Sequence, residues 1–191
     1  VRCSDGSVYA AKRVVCSLPL SVLRNIELDP PFSGLQAEAL ENIESQAITQ
    51  FYFAHRSKFW EKDGFAPSMF TDGPAGMVSA TRSGEDPAEV TGLAAWAMGL
   101  KAEKLDTLPA KEAGRLALQA IEAIRPASRG QLELVGAHSW GTDPFAQGGW
   151  AYFKPGQIAR LTPAMSEPHG LIHFCGEHLA TANRGMEGAM E

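Results

Sequence analysis

Four short apolar segments between residues 47 and 99, "AITQFYFAH", "APSMFT", "GMVSATR" and "GLAAWAMG", do most to limit what this chain can fold into. Each is of strand length and rich in β-branched, aromatic or small apolar residues. "TDGPAG" and "SGEDPAEV", which separate the last three, are turns by composition. Short strands joined by such turns favour an antiparallel sheet.

One strong helix accompanies the strands. In "TLPAKEAGRLALQAIEAIR", Leu116, Ala120, Ile121 and Ile124 recur at helical spacing, and Pro126 ends the pattern. Thr107 is the expected N-cap, with Pro109 near the first turn. "LQAEALENIES" also has helical spacing, and "QLELVGAHSW" reads as a further strand. At the start, Asp5-Gly6 marks a hairpin turn, and "RVVCSL" is a buried strand stopped by Pro19. Near the end, "LIHFCG" reads as a last buried strand. The fold class is therefore α+β, a mainly antiparallel sheet with helices packed on it. The strands at the two ends suit the margins of a second sheet that this chain does not complete.

Composition narrows the function classes. The chain has 191 residues, 45% of them hydrophobic, and a net charge of -5, enough to bury a core and with no basic footprint for nucleic acid. No apolar run reaches membrane-spanning length, and "VRCSDGSVYA" has no signal-peptide pattern. Three scattered cysteines are read as small buried residues in a reducing compartment, the cytoplasm. The five histidines have no metal-ligand spacing, so no metal is expected. No nucleophile motif, P-loop or GxGxxG stands out.

Two constellations remain. "HFCGEH" followed by "NRGMEGA" puts Gly176 and Glu177 after a strand and Gly185, Met186 and Glu187 at the start of a helix. Free backbone N–H groups there suit an anion or the polar edge of a heterocycle; an ordinary strand-to-helix turn is the other reading. "GGWAYFKPGQ" sets Gly148 and Gly149 before Trp150, Tyr152 and Phe153. The glycines allow close approach and the rings offer recognition faces, unless the aromatics are simply core.

Together the pattern "DPFAQGGWAYFKPGQ…GLIHFCGEHLA…GMEGAME" resembles the C-terminal part of the flavin-dependent, monoamine oxidase-like amine oxidases. "RVVCSLP" and "ITQFYFAHRSKFW" extend the resemblance over essentially the whole chain. It implies FAD as cofactor, a small-molecule amine as substrate, and hydride transfer from the amine carbon to the flavin. Trp150 aligns with one wall of the cage through which the amine approaches, and Asn183 is the guess for the other wall. Where many members carry a lysine ten residues before the Phe-Trp tryptophan, this chain has Gln50, implied to hold a water beside the flavin. Gly149 stands where some members attach flavin through cysteine, which implies noncovalent FAD. Gly176 and Glu177 are implied to meet the ribityl-phosphate region, and Gly185, Met186 and Glu187 the edge of the ring. Phe51, Phe53, Met69, Phe70, Val78 and Trp96 are implied sources of pocket walls, with about half of them expected to be core only.

The implied organisation is a strand of the FAD-binding domain over 1–20, a substrate-binding domain over 21–164, and a truncated FAD-contacting segment over 165–191. The dinucleotide-binding half is expected to be missing, leaving the isolated chain inactive and prone to self-association through unpaired edges. Fragments of carotenoid desaturase-like or protoporphyrinogen oxidase-like flavoenzymes, or a noncatalytic binding module, are the alternatives.

Overall fold

The structure is a computed structural model that describes every residue except Asn183. It is mixed helix and sheet, and the chain forms two compact units: Val1–Ser45 with Trp150–Glu191, and Gln46–Gly149. The elements in chain order are β1 (Val14–Cys16), α1 (Leu20–Leu23), α2 (Gly34–Asn42), β2 (Glu44–Ser45), β3 (Ile48–His55), α3 (Trp60–Asp63), β4 (Met69–Phe70), β5 (Met77–Thr81) and β6 (Gly92–Met98). Then come α4 (Leu100–Asp106), α5 (Ala110–Ile124), β7 (Leu132–Ser139), β8 (Ala151–Tyr152), α6 (Gln157–Ser166), β9 (Ile172–Phe174) and α7 (Met186–Met190).

The unit Gln46–Gly149 is built on one antiparallel sheet in the order β4-β5-β6-β3-β7. Strand side chains alternate between faces, and here the alternation divides core from site. Thr49, Phe51 and Phe53 of β3 point to the helix side, where Phe51 and Phe53 join Leu93, Ala95, Val78, Ala113, Ala117 and Ile121 in one buried cluster. Asp106, at the end of α4, ties that helix to the sheet by accepting from Thr49 Oγ1 at 2.6 Å and Ser139 Oγ at 2.8 Å.

Three expectations for this unit are corrected. Thr107 is not the N-cap of α5; it closes α4, its hydroxyl donating to the Lys104 carbonyl at 2.7 Å, while Pro109 occupies the cap position. The buried face of α5 is Ala113, Gly114, Ala117 and Ile121, and Ile124 is 53% exposed. Small residues at the seam bring the helix close to the sheet, so the face turns toward them and away from Ile124. Of "APSMFT" only Met69 and Phe70 pair, at the sheet edge, with Phe70 83% exposed. Of the six candidate pocket-wall residues Phe51, Phe53 and Val78 belong to the core, in line with the expectation that about half would.

In the other unit the two chain ends meet, β1 pairing in parallel with β9 through Val14–Ile172, Val15–His173 and Cys16–Phe174. These strands are not buried on both faces as expected. Cys16 and Phe174 pack on the cluster of Leu20, Leu23, Ala39, Ile43, Leu161 and Met165, whereas Val15 on the opposite face is 71% exposed. A two-stranded sheet backed by helices on one side leaves its other face uncovered. Gln36 fastens α2 to α6 by donating from Nε2 to the carbonyls of Ala164 at 3.1 Å and Glu167 at 2.9 Å.

Candidate functional site

With the apolar side of the sheet committed to helices, the opposite face carries polar and aromatic side chains. The ladder aligns Gln50 with Trp96 on one neighbour and His138 on the other. Met77 pairs with Trp96. Tyr52 and Trp140 share this face.

Gln50 lies in β3, an interior strand of the sheet, and is 5% exposed. A buried carboxamide must be hydrogen-bonded or it destabilises the fold. Its Oε1 accepts from the Trp140 indole N–H at 2.7 Å and from the Tyr52 hydroxyl at 2.8 Å. Among the described residues its Nε2 donates to no protein group. The Trp140 ring stands edge-on to His138, centroids 4.4 Å apart, and His138 Nε2 lies 3.5 Å from the Asp143 carboxylate without making a hydrogen bond. Trp96 Nε1 donates to Ser79 Oγ at 3.1 Å. Trp96 was expected as a pocket wall; Tyr52 and Trp140 were not singled out. The signal for Tyr52 was present in the sequence, since it is two residues from Gln50 and shares its face; for Trp140, ninety residues on, there was none.

The glycine loop closes on the edge of this unit. Gly148 N–H donates to the Trp140 carbonyl at 2.8 Å and Gly149 N–H to the Gln46 carbonyl at 2.9 Å. Gly149 sits flat against Ile48, where a Cβ would fall 2.2 Å from Ile48 Cδ1. No side chain, and so no cysteine, fits at that position without displacing a core residue.

The remaining expected site residues lie in the other unit, where the loop after Gly149 meets the C-terminal segment. Glu177 Oε2 accepts from the Ala151 backbone N–H at 3.1 Å, beside Trp150. The Arg184 guanidinium lies 4.1 Å over the Phe153 ring. Trp150 is half-exposed and leads into β8, which pairs with β2. Gly176 and Gly185 both have positive φ, 126° and 115°, and the space beside Gly185 is open. Met186, which opens α7, is 81% exposed. His178 is buried between these segments, and that burial, with the nearby Arg184 charge, pushes its pKa down to about 4. Asn183 lies outside the described residues. The structure thus brings Trp150, Glu177 and the segment carrying Gly185, Met186 and Glu187 into one unit, with Gln50 and Gly149 in the other. Among the described residues no group of three His, Cys, Asp or Glu side chains is placed to hold a metal ion.

Comparison with known proteins identifies the family. The model of the flavin containing amine oxidoreductases matches residues 1–191. The chain belongs to the flavin-containing amine oxidoreductases. Similar curated members include the putative L-amino-acid oxidase YobN of Bacillus subtilis (strain 168), 26% identical over 98% of this chain and 40% of that protein. The L-amino-acid oxidase of Bothrops pauloensis is 25% identical over 97% of this chain and 37% of its own length. The flavin-dependent L-tryptophan oxidase RebO of Lentzea aerocolonigenes is 26% identical over 93% and 39%. Among solved structures, a putrescine oxidase variant superposes with a TM-score of 0.73 at 23% identity, covering 89% of this chain and 38% of the other. Cyclohexylamine oxidase from Brevibacterium oxydans IH-35A gives 0.71 at 19%, with the same coverage. These structural likenesses show the amine oxidoreductase fold. This amine oxidoreductase chain spans about two fifths of the length of the curated relatives it matches. Membership implies a flavin cofactor for the whole protein.

Proposed function

We propose that this chain is the substrate-binding part of an FAD-dependent enzyme that oxidises the C–N bond of a small-molecule amine to an imine. The family match along residues 1–191 carries this reading. Bound flavin would supply the acceptor for the hydride that leaves the amine α-carbon. As that C–H bond breaks, the nitrogen lone pair forms the C=N bond, and water later hydrolyses the imine.

The side chains present fit such a cofactor. Glu177 uses one carboxylate oxygen on Ala151, which leaves the other to accept from a ribityl or sugar hydroxyl. The open space at Gly185 and the exposed Met186 side chain suit a flat ring with a polar edge. Gly176 and Glu187 complete this cofactor-contacting segment in our reading. The fit of Gly149 against Ile48 supports noncovalent attachment, because a linking side chain has no room there. Gln50 would donate to a water beside the reacting centre, Trp150 would form one wall of the amine approach, and we assign the opposite wall to Asn183. The names of the curated relatives include L-amino acids and L-tryptophan, and α-amino acids carry the same type of C–N bond.

Because the chain covers two fifths of its relatives, we expect the isolated chain to be colourless and inactive. The test is to purify it alone and together with an N-terminal FAD-binding half, then record visible spectra and add amines without oxygen. Flavin colour only in the joined protein, bleached by an amine, is the expected result. Flavin retained by the chain alone would overturn the fragment reading. A flavin-loaded joined protein that no amine or amino acid bleaches would overturn amine oxidation.

A further inference from the structure

Two hydrogen-bond donors converge on a single amide oxygen at Gln50. The Trp140 indole N–H can only donate, so the atom 2.7 Å from it must be Oε1 and not the amide nitrogen. The Tyr52 hydroxyl, 2.8 Å away, occupies the second lone pair of the same oxygen. Both partners are anchored. Gln50 and Tyr52 belong to β3, an interior strand paired on both sides, and the Trp140 backbone N–H donates to the Ile48 carbonyl at 2.9 Å. Turning the amide over would place N–H against N–H and cost the indole donor its partner, beside a Gln50 side chain that is itself buried.

We propose that Trp140 and Tyr52 are positioning residues that hold the Gln50 carboxamide in one orientation, so that it meets its ligand only as a hydrogen-bond donor. This rests on the reading of the Gln50 face as part of the amine site and deepens it: the group that meets Gln50 is an acceptor, such as a water oxygen. It also makes position 50 dependent on Trp140. A carboxylate could replace the amide and still accept from the indole. An ammonium could not, because it has no lone pair to offer.

The orientation is tested on the 191-residue chain, without cofactor, by hydrogen exchange of the Trp140 indole N–H in nitrogen-15 spectra. The resonance is assigned by its disappearance in Trp140→Phe. In Gln50→Leu the exchange is expected to be about tenfold faster, the equivalent of one lost buried hydrogen bond. Gln50→Glu is expected to retain the protection and Gln50→Lys to lose it. Unchanged exchange in the Leu or Lys variant overturns the proposal. If Gln50→Lys does not fold, the double variant Gln50→Lys, Trp140→Phe decides, since removing the facing donor should restore cooperative unfolding. No recovery overturns the proposal.

In the joined, flavin-loaded protein, Trp140→Phe is expected to reproduce the fall in kcat caused by Gln50→Leu while KM stays within about twofold. A fall in Gln50→Leu alone overturns the positioning role of Trp140. If the exchange results stand while no variant at 50 or 140 alters turnover, the placement of Gln50 in the amine site fails and the fixed amide does not.

Discussion

Gly149 offers the sharpest steric test of how the glycine loop meets the sheet. Adding a single Cβ would place it 2.2 Å from Ile48 Cδ1, 2.9 Å from Cγ1 and 3.4 Å from Cβ. Contacts below 3 Å are not tolerated, so Ile48 or the loop must move. Ile48 is 1% exposed and has little room, and the loop is tied by the Gly149 N–H to the Gln46 carbonyl at 2.9 Å. Overpacking of this kind costs about 1–3 kcal/mol. At roughly 2–4 °C per kcal/mol for a chain of this size, Gly149→Ala should lower Tm by roughly 2–12 °C. Ile48→Val removes the atom of closest approach and by itself should cost about 0.5–1.5 kcal/mol. If the steric account holds, the double variant is more stable than the sum of the singles by about 1 kcal/mol. Gly76 provides the contrast: its Cβ would fall 2.2 Å from the Trp96 carbonyl oxygen, and its φ is +58°. Backbone cannot be trimmed, so Gly76→Ala should cost more than Gly149→Ala. Urea and thermal unfolding of the four variants make the comparison. Gly149→Ala within about 0.5 kcal/mol of the parent, or additive behaviour of the pair, would refute the reasoning.

Two pH dependences should be separable. His178 is neutral in the fold because burial, and then the Arg184 charge, lower its pKa to about 4. As pH falls below about 6.5 the unfolded chain takes up a proton that the folded chain refuses until about pH 4, so stability declines across that interval by ~3 kcal/mol. His178→Leu should flatten that part of a urea-midpoint series between pH 7 and 4. Asp63 acts lower in the range. Hydrogen bonds from the Arg125 side chain, at 2.6 and 3.0 Å, hold its carboxyl below the ordinary value of 3.8. Its stabilisation is therefore complete above that value and lost as pH drops through the depressed folded pKa. Asp63→Asn should be less stable than the parent at neutral pH and should lose this acid-range decline in a Tm series.

Strand alternation in residues 48–55 was legible because β-branched and aromatic residues at period two leave few other choices, and the long α5 was legible from its period. Of the shorter helices, α2 was legible from its spacing and α6 was not. Pro163 lies inside α6, and proline there removes a hydrogen-bond donor, so nothing in "QIARLTPAMS" marks it as a helix. The helix forms because Leu161 and Met165 complete a core with Leu20, Leu23, Ala39 and Ile43, residues more than a hundred positions away in sequence. Burial against distant partners outweighs local propensity.

The candidate site was legible in the same uneven way. Gln50 could be singled out by motif, but the indole partner of its oxygen could not, because Trp140 lies ninety residues on and comes within reach only when β7 pairs with β3. The same ladder explains why Phe51 and Phe53, the obvious candidates for an aromatic pocket, are core. Each is one step out of phase with Gln50, and a sheet with helices on one side commits every odd residue of β3 to that side. What remains for a ligand is the even face, and its character follows from Gln50, Tyr52, Trp96, His138 and Trp140: donors and aromatic edges around one fixed amide. In the proposed function such a face would orient a substrate, and the redox chemistry would come from the bound flavin. In the function proposed above, the side chains of this face and the flavin implied by the family would be complementary parts of one site, and Gln50 would contribute only while Trp140 keeps its amide turned the right way.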